Sequence, residues 1–247
     1  GVEVRGYPNE PQTPINNTPQ GKLRLINNSM IENAREGANS TNGGIIQAFN
    51  TTFKNNFIDV AISGYTQQSN ISHITNCTLI NDGPLCGIAG GTGAHVLLSQ
   101  VINVNIIGNS FIHAFNFPEN QRGKGIFSRS SSCIVQSNTF DDLTHGIFST
   151  STTGASRIIA RFNTFNVQQA IVTTGSTFDH IADNTFNIPV QTLVDLETFG
   201  VLMINASGFI IKDNQFTGIV SGLHRGVVVN NSNSGGGSIK FNNFDDL

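Results

Sequence analysis

Tryptophan is absent from this 247-residue chain, tyrosine and methionine occur twice each, and cysteine three times. Charged residues make up only 12%, about half the ~25% usual in soluble domains. Each shortage excludes something. With a net charge of -3 and no basic cluster, the chain lacks the electrostatic footprint of a nucleic-acid binder. The densest basic stretch, Arg122 to Arg129, holds three cations among Gly and Ser and reads as a solvated loop. A hydrophobic content of 38% with so little net charge is not the composition of a disordered chain. No apolar run approaches the ~18 residues of a membrane span, and no signal peptide opens the sequence. Cys77, Cys86 and Cys133 are too few and odd in number for a closed disulfide framework. Buried free thiols are expected, with a Cys77–Cys86 bridge as the alternative. No Cys or His spacing suggests zinc. No stretch carries the i, i+3, i+4, i+7 stripe of an amphipathic helix.

Asparagine fills the space that charge leaves, with 31 copies. Asn tolerates the left-handed backbone region, and its amide bonds nearby backbone. Its distribution is periodic. Ser137-Asn138-Thr139-Phe140, Phe162-Asn163-Thr164-Phe165, Asp183-Asn184-Thr185-Phe186 and Asp213-Asn214-Gln215-Phe216 share one frame. The frame extends to nine copies with a first column of Asn28, Asn55, Cys77, Asn109, Asn138, Asn163, Asn184, Asn214 and Asn242. Two residues later stands a second column: Met30, Phe57, Leu79, Phe111, Phe140, Phe165, Phe186, Phe216 and Phe244. Three residues before the Asn runs an aliphatic column that includes Leu25, Thr52, Ile74, Ile106 and Val135. A Gly-aliphatic segment follows each copy after a variable gap, as in Gly125-Ile126-Phe127, Gly146-Ile147-Phe148 and Gly226-Val227-Val228.

The copies lie 21 to 32 residues apart, so the gaps vary while the strand signatures do not. Insertions confined to loops are the mark of a solenoid. Short strands with period-two alternation, two or three to a copy, fit one coil of a parallel β-helix, each strand pairing with its equivalents ~4.8 Å above and below. The expected fold is all-β: a single-stranded parallel β-helix of about nine coils forming one domain over residues 1–247. Stacking makes the Asn column an amide ladder and the Phe column an aromatic stack. A leucine-rich repeat also interchanges Asn and Cys, but needs an L-x-x-L-x-L run that no copy has. Both ends read as cut. Gly1-Val2-Glu3-Val4 looks like the strand of a preceding coil, and Phe244-Asp245-Asp246-Leu247 repeats Phe140-Asp141-Asp142-Leu143 before stopping. A longer solenoid with flanking domains is therefore expected.

With these residues in hand, the chain resembles right-handed β-helix proteins of the pectate-lyase-like superfamily, which supplies the expected handedness. The order Gly1-Val2-Glu3-Val4-Arg5-Gly6, Pro11-Gln12-Thr13-Pro14, Ile31-Glu32-Asn33-Ala34, Ala94-His95-Val96 and then Asn-x-Phe coils looks like large secreted bacterial surface proteins, often cargo of type IX secretion. The resemblance implies a secreted, cell-surface location and contact with secretion machinery more than any chemistry.

That superfamily also holds polysaccharide lyases, hydrolases and epimerases. Polygalacturonase-type members carry Asn-Thr-Asp, Asp-Asp, Gly-His-Gly and Arg-Ile-Lys motifs. Here only Asp141-Asp142, His145-Gly146 and Ser238-Ile239-Lys240 approach them. Asp141, Asp142 and His145 are thus the catalytic candidates, although Asp245-Asp246 repeats the acid pair as a turn element would. Calcium needs six to eight oxygens, and the acids are scattered, so no cofactor is expected beyond an incidental Ca2+. Loops carry function more often than scaffold. The insertions at 81–95, 112–124 and 187–199 are the longest, and Asn116, Phe117, Glu119, Arg122 and Lys124 are the binding candidates, with Phe117 as an apolar anchor. A structural or adhesive module without catalysis is the leading expectation. Its partners would be carbohydrate or other surface proteins.

Overall fold

A computed structural model describes residues 1–85, 93–114, 116–153, 156–189, 197–218, 224–232, 235–245 and 247. The chain winds through three parallel sheets of nine strands each, one strand per sheet per coil. Sheet A holds Val2–Arg5, Glu36–Thr41, Ile58–Tyr65, Ala94–Val101, Lys124–Arg129, His145–Thr150, Gln169–Thr174, Phe199–Ile204 and Arg225–Asn230. Sheet B holds Lys22–Leu25, Ile45–Phe49, His73–Thr75, Val104–Ile107, Ser132–Gln136, Arg157–Arg161, His180–Ala182, Ile210–Lys212 and Ser238–Lys240. Sheet C holds Met30–Glu32, Thr52–Lys54, Thr78–Asn81, Ser110–His113, Thr139–Asp141, Thr164–Asn166, Thr185–Ile188, Gln215–Gly218 and Asn243–Asp245. This is a nine-coil parallel β-helix.

The tight bend from sheet B to sheet C explains the constancy of the repeat. The residue before each bend's inward slot adopts positive φ: Asn50, Asn76, Gly108, Ser137, Phe162, Asp183, Asp213 and Phe241 lie between 48° and 68°. The next side chain then turns into the tube. From Asn109 to Asn242 that residue is Asn, and the amides interlock. Asn138 Oδ1 accepts the Asn109 backbone N–H at 2.8 Å and the Asn109 side-chain amide at 2.9 Å. Asn138 Nδ2 donates to Ile106 O at 2.9 Å and to Asn163 Oδ1 at 3.0 Å. Asn163 and Asn184 repeat the pattern upward to Asn214 and Asn242. Every valence of an interior amide is used, and bent backbone that would be buried without partners is satisfied.

The first two coils depart from the expected frame. Register places Thr51, not Asn55, level with Cys77, and Phe53, not Phe57, level with Leu79. Asn55 instead forms the positive-φ bend after the sheet C strand, where Asn33 and Asp142 also sit. Phe57 is only half-buried. In the first coil Ser29 takes the slot, Ile31 pairs with Phe53, and Met30 is 58% exposed. Asn28 falls in a bend lengthened by one residue, with Asn27 and Asn28 both at positive φ. The physical reason is that Asn suits every left-handed bend, so an Asn-x-apolar triplet marks a corner without saying which. The aliphatic column shifts likewise: Ala48, not Thr52, is level with Ile74. Below Asn109 the ladder ends on Cys77, whose backbone N–H donates to Asn109 Oδ1 at 2.8 Å and whose thiol meets Thr75 O at 3.3 Å.

Inside sheet C, six Phe rings from Phe111 to Phe244 stack 4.5–5.0 Å apart with planes within 10°. The facing column of sheet A must be small to admit them. A Cβ on Gly146 would stand 2.7 Å from the Phe165 ring and 2.6 Å from Ala170 O, and Gly125 and Gly200 are equally tight. The Phe stack and the Gly column are therefore one packing device. Cys77 and Cys133 are buried free thiols; Cys86 lies outside the described residues. Burial pushes the Cys133 thiol up to about 12, so it is inert.

Candidate functional site

Sheet A presents three outward columns: strand alternation sets the last two, and an adjacent inward pair such as Gly125-Ile126 separates the first from them. The middle column reads Ala61, Leu97, Phe127, Phe148, Val172, Leu202 and Val228, joined coil to coil by register. It is an apolar row on the outside of the tube. Lys124 Nζ lies 5.6 Å from the Phe127 ring centroid and 5.5 Å from that of Phe148, and the Arg129 guanidinium lies 4.4 Å from Phe127. Phe57, Ile58, Ala94, Leu97, Lys124, Phe127 and Arg129 surround an open groove of about 210 Å³ on this face.

Lys124 pairs in register with His145, and His145 with Gln169. Burial, then the charge of Arg129, lowers the Lys124 ammonium below its usual range. Burial, then Lys124, drives His145 down to about 3, so it is neutral at physiological pH. Its ring meets Phe148 edge-on at 4.9 Å. A lowered amine beside a neutral imidazole is a pattern seen at functional sites. Acids approach this face only towards its two ends among the described residues: Glu3 and Glu36 stand in its outward columns in the first two coils, and Glu197 pairs with Arg225 at 3.2 Å. The sheet A strands from Ala94–Val101 through Arg225–Asn230 contain no Asp or Glu.

A second groove, of about 230 Å³, opens at the corner from sheet C to sheet A, lined by Glu119, Arg122, Asp142, Asn166, Gln168 and Pro189 among others. Arg122 bonds the Asp142 carboxylate and holds Phe117 O through Nε at 3.1 Å. Burial raises the Asp142 carboxyl; Arg122 opposes that, while Glu119 and Asp141 add to it. Phe117 packs its ring 5.6 Å from His113. Asn116 is exposed and lines neither groove.

The structure thus brings Glu119 and Arg122 to Asp142, and Lys124 to His145, but it does not join the three catalytic candidates. Asp141 points along the outside of sheet C, where Asn166 Nδ2 donates to it and Asn187 Nδ2 donates to Asn166 Oδ1 at 2.6 Å. Asp141, Asn166 and Asn187 thus form a polar row from coil to coil. Among the described residues no group of three or more His, Cys, Asp or Glu side chains is placed to hold a metal ion. Phe115, residues 86–92 and residues 190–196 lie outside the described residues.

Two buried polar features escaped sequence reasoning. Asp59 and His95 occupy the Gly column inside the tube, with Oδ2 and Nδ1 2.5 Å apart and Asn56 Nδ2 donating to Asp59 Oδ1 at 2.8 Å. Asp179 sits in the inward column of sheet B. Its carboxylate accepts from Ile158 N at 2.7 Å and from Ser176 Oγ. Desolvation raises it to about 6. Alternation around Ile181 signals that Asp179 points inward, whereas Asp59 adjoins the inward Val60 and alternation would turn it outward. No protein-family model, curated protein or solved structure matches the chain.

Proposed function

We propose that the chain is a structural, adhesive β-helix module of a secreted cell-surface protein, holding a ligand or partner without turning it over. The observation that carries this reading is the outer face of sheet A: six successive strands without a carboxylate, bearing a continuous apolar row flanked by Lys124 and Arg129. Glycosidic hydrolysis needs two carboxylates across the scissile bond, and calcium-assisted lyase chemistry needs a cluster of oxygens. This face offers instead the elements of a contact surface, aromatic and cationic at its centre. The resemblance to secreted bacterial surface proteins, including type IX secretion cargo, supports the location. The pectate-lyase-like resemblance supports carbohydrate as a partner.

One observation favours a second reading, a polysaccharide-active enzyme: at the corner groove, Glu119 and Arg122 stand beside an Asp142 whose carboxyl is raised by burial. A single experiment separates the two. Purified protein is incubated with polyuronates and neutral glycans, and both unsaturated products and new reducing ends are followed. Binding without turnover is the expected result, weakened by Phe127→Ser on the sheet A face. Turnover abolished by Asp142→Asn would establish the enzyme instead. Binding lost in Phe117→Ala but kept in Phe127→Ser would move the contact to the loop.

A further inference from the structure

The outer face of sheet B carries a second surface, independent of sheet A. Its strands in coils six to nine hold Arg157, Arg161, Lys212 and Lys240, with Arg161, Ala182, Lys212 and Lys240 in one register column. Ala182 leaves the space between Arg161 and Lys212 open to both long side chains. His180 lies among these cations. Arg161 Nη2 is 2.8 Å from His180 Nδ1, and burial followed by the charges of Arg161, Lys212 and Arg157 lowers the imidazole below its usual range. Arg161 Nε and His180 Nε2 are both buried without a hydrogen-bond partner.

Three phenylalanines project beside these cations. Phe162 and Phe241 are 56% and 82% exposed on the bend that leaves sheet B; Phe178 is 65% exposed on the bend that enters it. All three adopt left-handed backbone, with φ of 56°, 58° and 54° for Phe162, Phe178 and Phe241. Asn, Gly, Ser or Asp fill the seven other coils at the exit bend. A bulky ring is costly in that conformation, and at these exposures it recovers little from packing. Ile210 adds a further exposed apolar side chain on the strand between them. Asp183 and Asp213 share the bend column, and Lys212 pairs with Asp213 at 3.1 Å. Four cations against two carboxylates leave this face at +2, in a chain whose net charge is -3.

We infer that this face docks on an anionic lipid surface, with Phe162, Phe178 and Phe241 entering the headgroup boundary and Arg157, Arg161, Lys212 and Lys240 meeting the lipid charge. Exposed rings interleaved with basic side chains are the chemistry of interfacial binding. The modest net charge, with two acids in the same column, disfavours a dense polyanion such as a nucleic acid.

The test is co-sedimentation of the folded chain with phosphatidylcholine vesicles, with and without phosphatidylglycerol. Binding is expected only with the anionic lipid and is expected to weaken as salt is raised. Each Lys or Arg near the surface contributes about fivefold, so Arg161→Gln with Lys212→Gln is expected to weaken binding about 30-fold. Phe178→Ser with Phe241→Ser is expected to weaken it at least tenfold, while Arg225→Gln on sheet A leaves it unchanged. Melting curves check that each variant keeps its fold. No binding to anionic vesicles overturns the inference, as does binding that the Phe pair does not weaken. Equal binding to heparin or a single-stranded oligonucleotide, insensitive to the Phe pair, would reassign the face to soluble polyanions and overturn it too.

Discussion

Replacing Asn163 by Ala tests whether the amide ladder holds the tube closed. Asn163 Oδ1 accepts two bonds, from the Asn138 backbone and side chain, and Nδ2 donates to Val135 O and Asn184 Oδ1. Truncation leaves two buried groups without partners, the Asn138 N–H and one Asn138 amide hydrogen, while the Val135 carbonyl keeps its ladder bond in sheet B. Each orphan costs about 1–3 kcal/mol, so the loss is about 4 kcal/mol. For a chain of this size that corresponds to a fall in Tm of about 8–16 °C. A solenoid loses stability locally before it does so globally, so amide exchange at Asn138 and Thr164 should accelerate more than exchange at Ile46. The matched control is Asn166→Ala on the outer row of sheet C, where substitution costs about 0.5 kcal/mol or less. Both variants are melted by circular dichroism. If Asn163→Ala fell within about 0.5 kcal/mol of Asn166→Ala, the ladder would not be a stabilising element.

The Gly column yields a second expectation: Gly146→Ala forces a methyl against the Phe165 ring and Ala170 O, with an expected loss of about 1–3 kcal/mol, read from the same melts. Asp179 gives a pH dependence. Its carboxyl lies near 6 when folded against an ordinary value of 3.8, so the folded chain binds the extra proton between those values. Its contribution is fully present below about 3.8 and is lost as pH rises through about 6, a change of order 3 kcal/mol. Asp179→Asn should remove that part of the pH slope in urea melts taken from pH 4 to pH 8; an unchanged slope would refute the assignment. His145, lowered to about 3, acts oppositely: its contribution is present above 6.5 and is lost as pH falls towards 3. His145→Gln should flatten that acid limb.

The sequence carried the architecture because the sheet B to sheet C bend admits so few side chains. An amide after a left-handed residue, then an inward Phe, recurs from Asn109 to Asn242, so the frame of those coils is legible in the sequence. It misled in the first two coils, where Ser29 and Thr51 replace the amide and nearby Asn55-Asn56-Phe57 imitates the motif at another corner. Asn56 even makes ladder-like bonds there, accepting Ala34 N at 2.8 Å and donating to Ile31 O at 3.0 Å. The candidate sites were half legible. Glu119, Arg122 and Asp142 do meet, although Asp142 stands 20 or more residues from the other two in sequence, because the long corner insertion lies over the following coil. The apolar row Leu97, Phe127 and Phe148 was hidden, because a Phe in a strand reads as core by residue type. Strand parity after Ile126 and Ile147 would have turned both rings outward. Asp59, His95 and Asp179 were missed for the converse reason: polar side chains inside a tube leave no mark in composition.

Vertical register is most directly measured by disulfide trapping on the outside of sheet C, where Thr139 pairs with Thr164. Partners one strand spacing apart lie within the Cα range a disulfide accepts, and residues displaced by two along the strand lie beyond it. Thr139→Cys with Thr164→Cys should close under mild oxidation, with Cys77 and Cys133 remaining buried thiols. Thr139→Cys with Asn166→Cys should stay open. Closure of the displaced pair at an equal or faster rate would mean that the coils are not stacked as described.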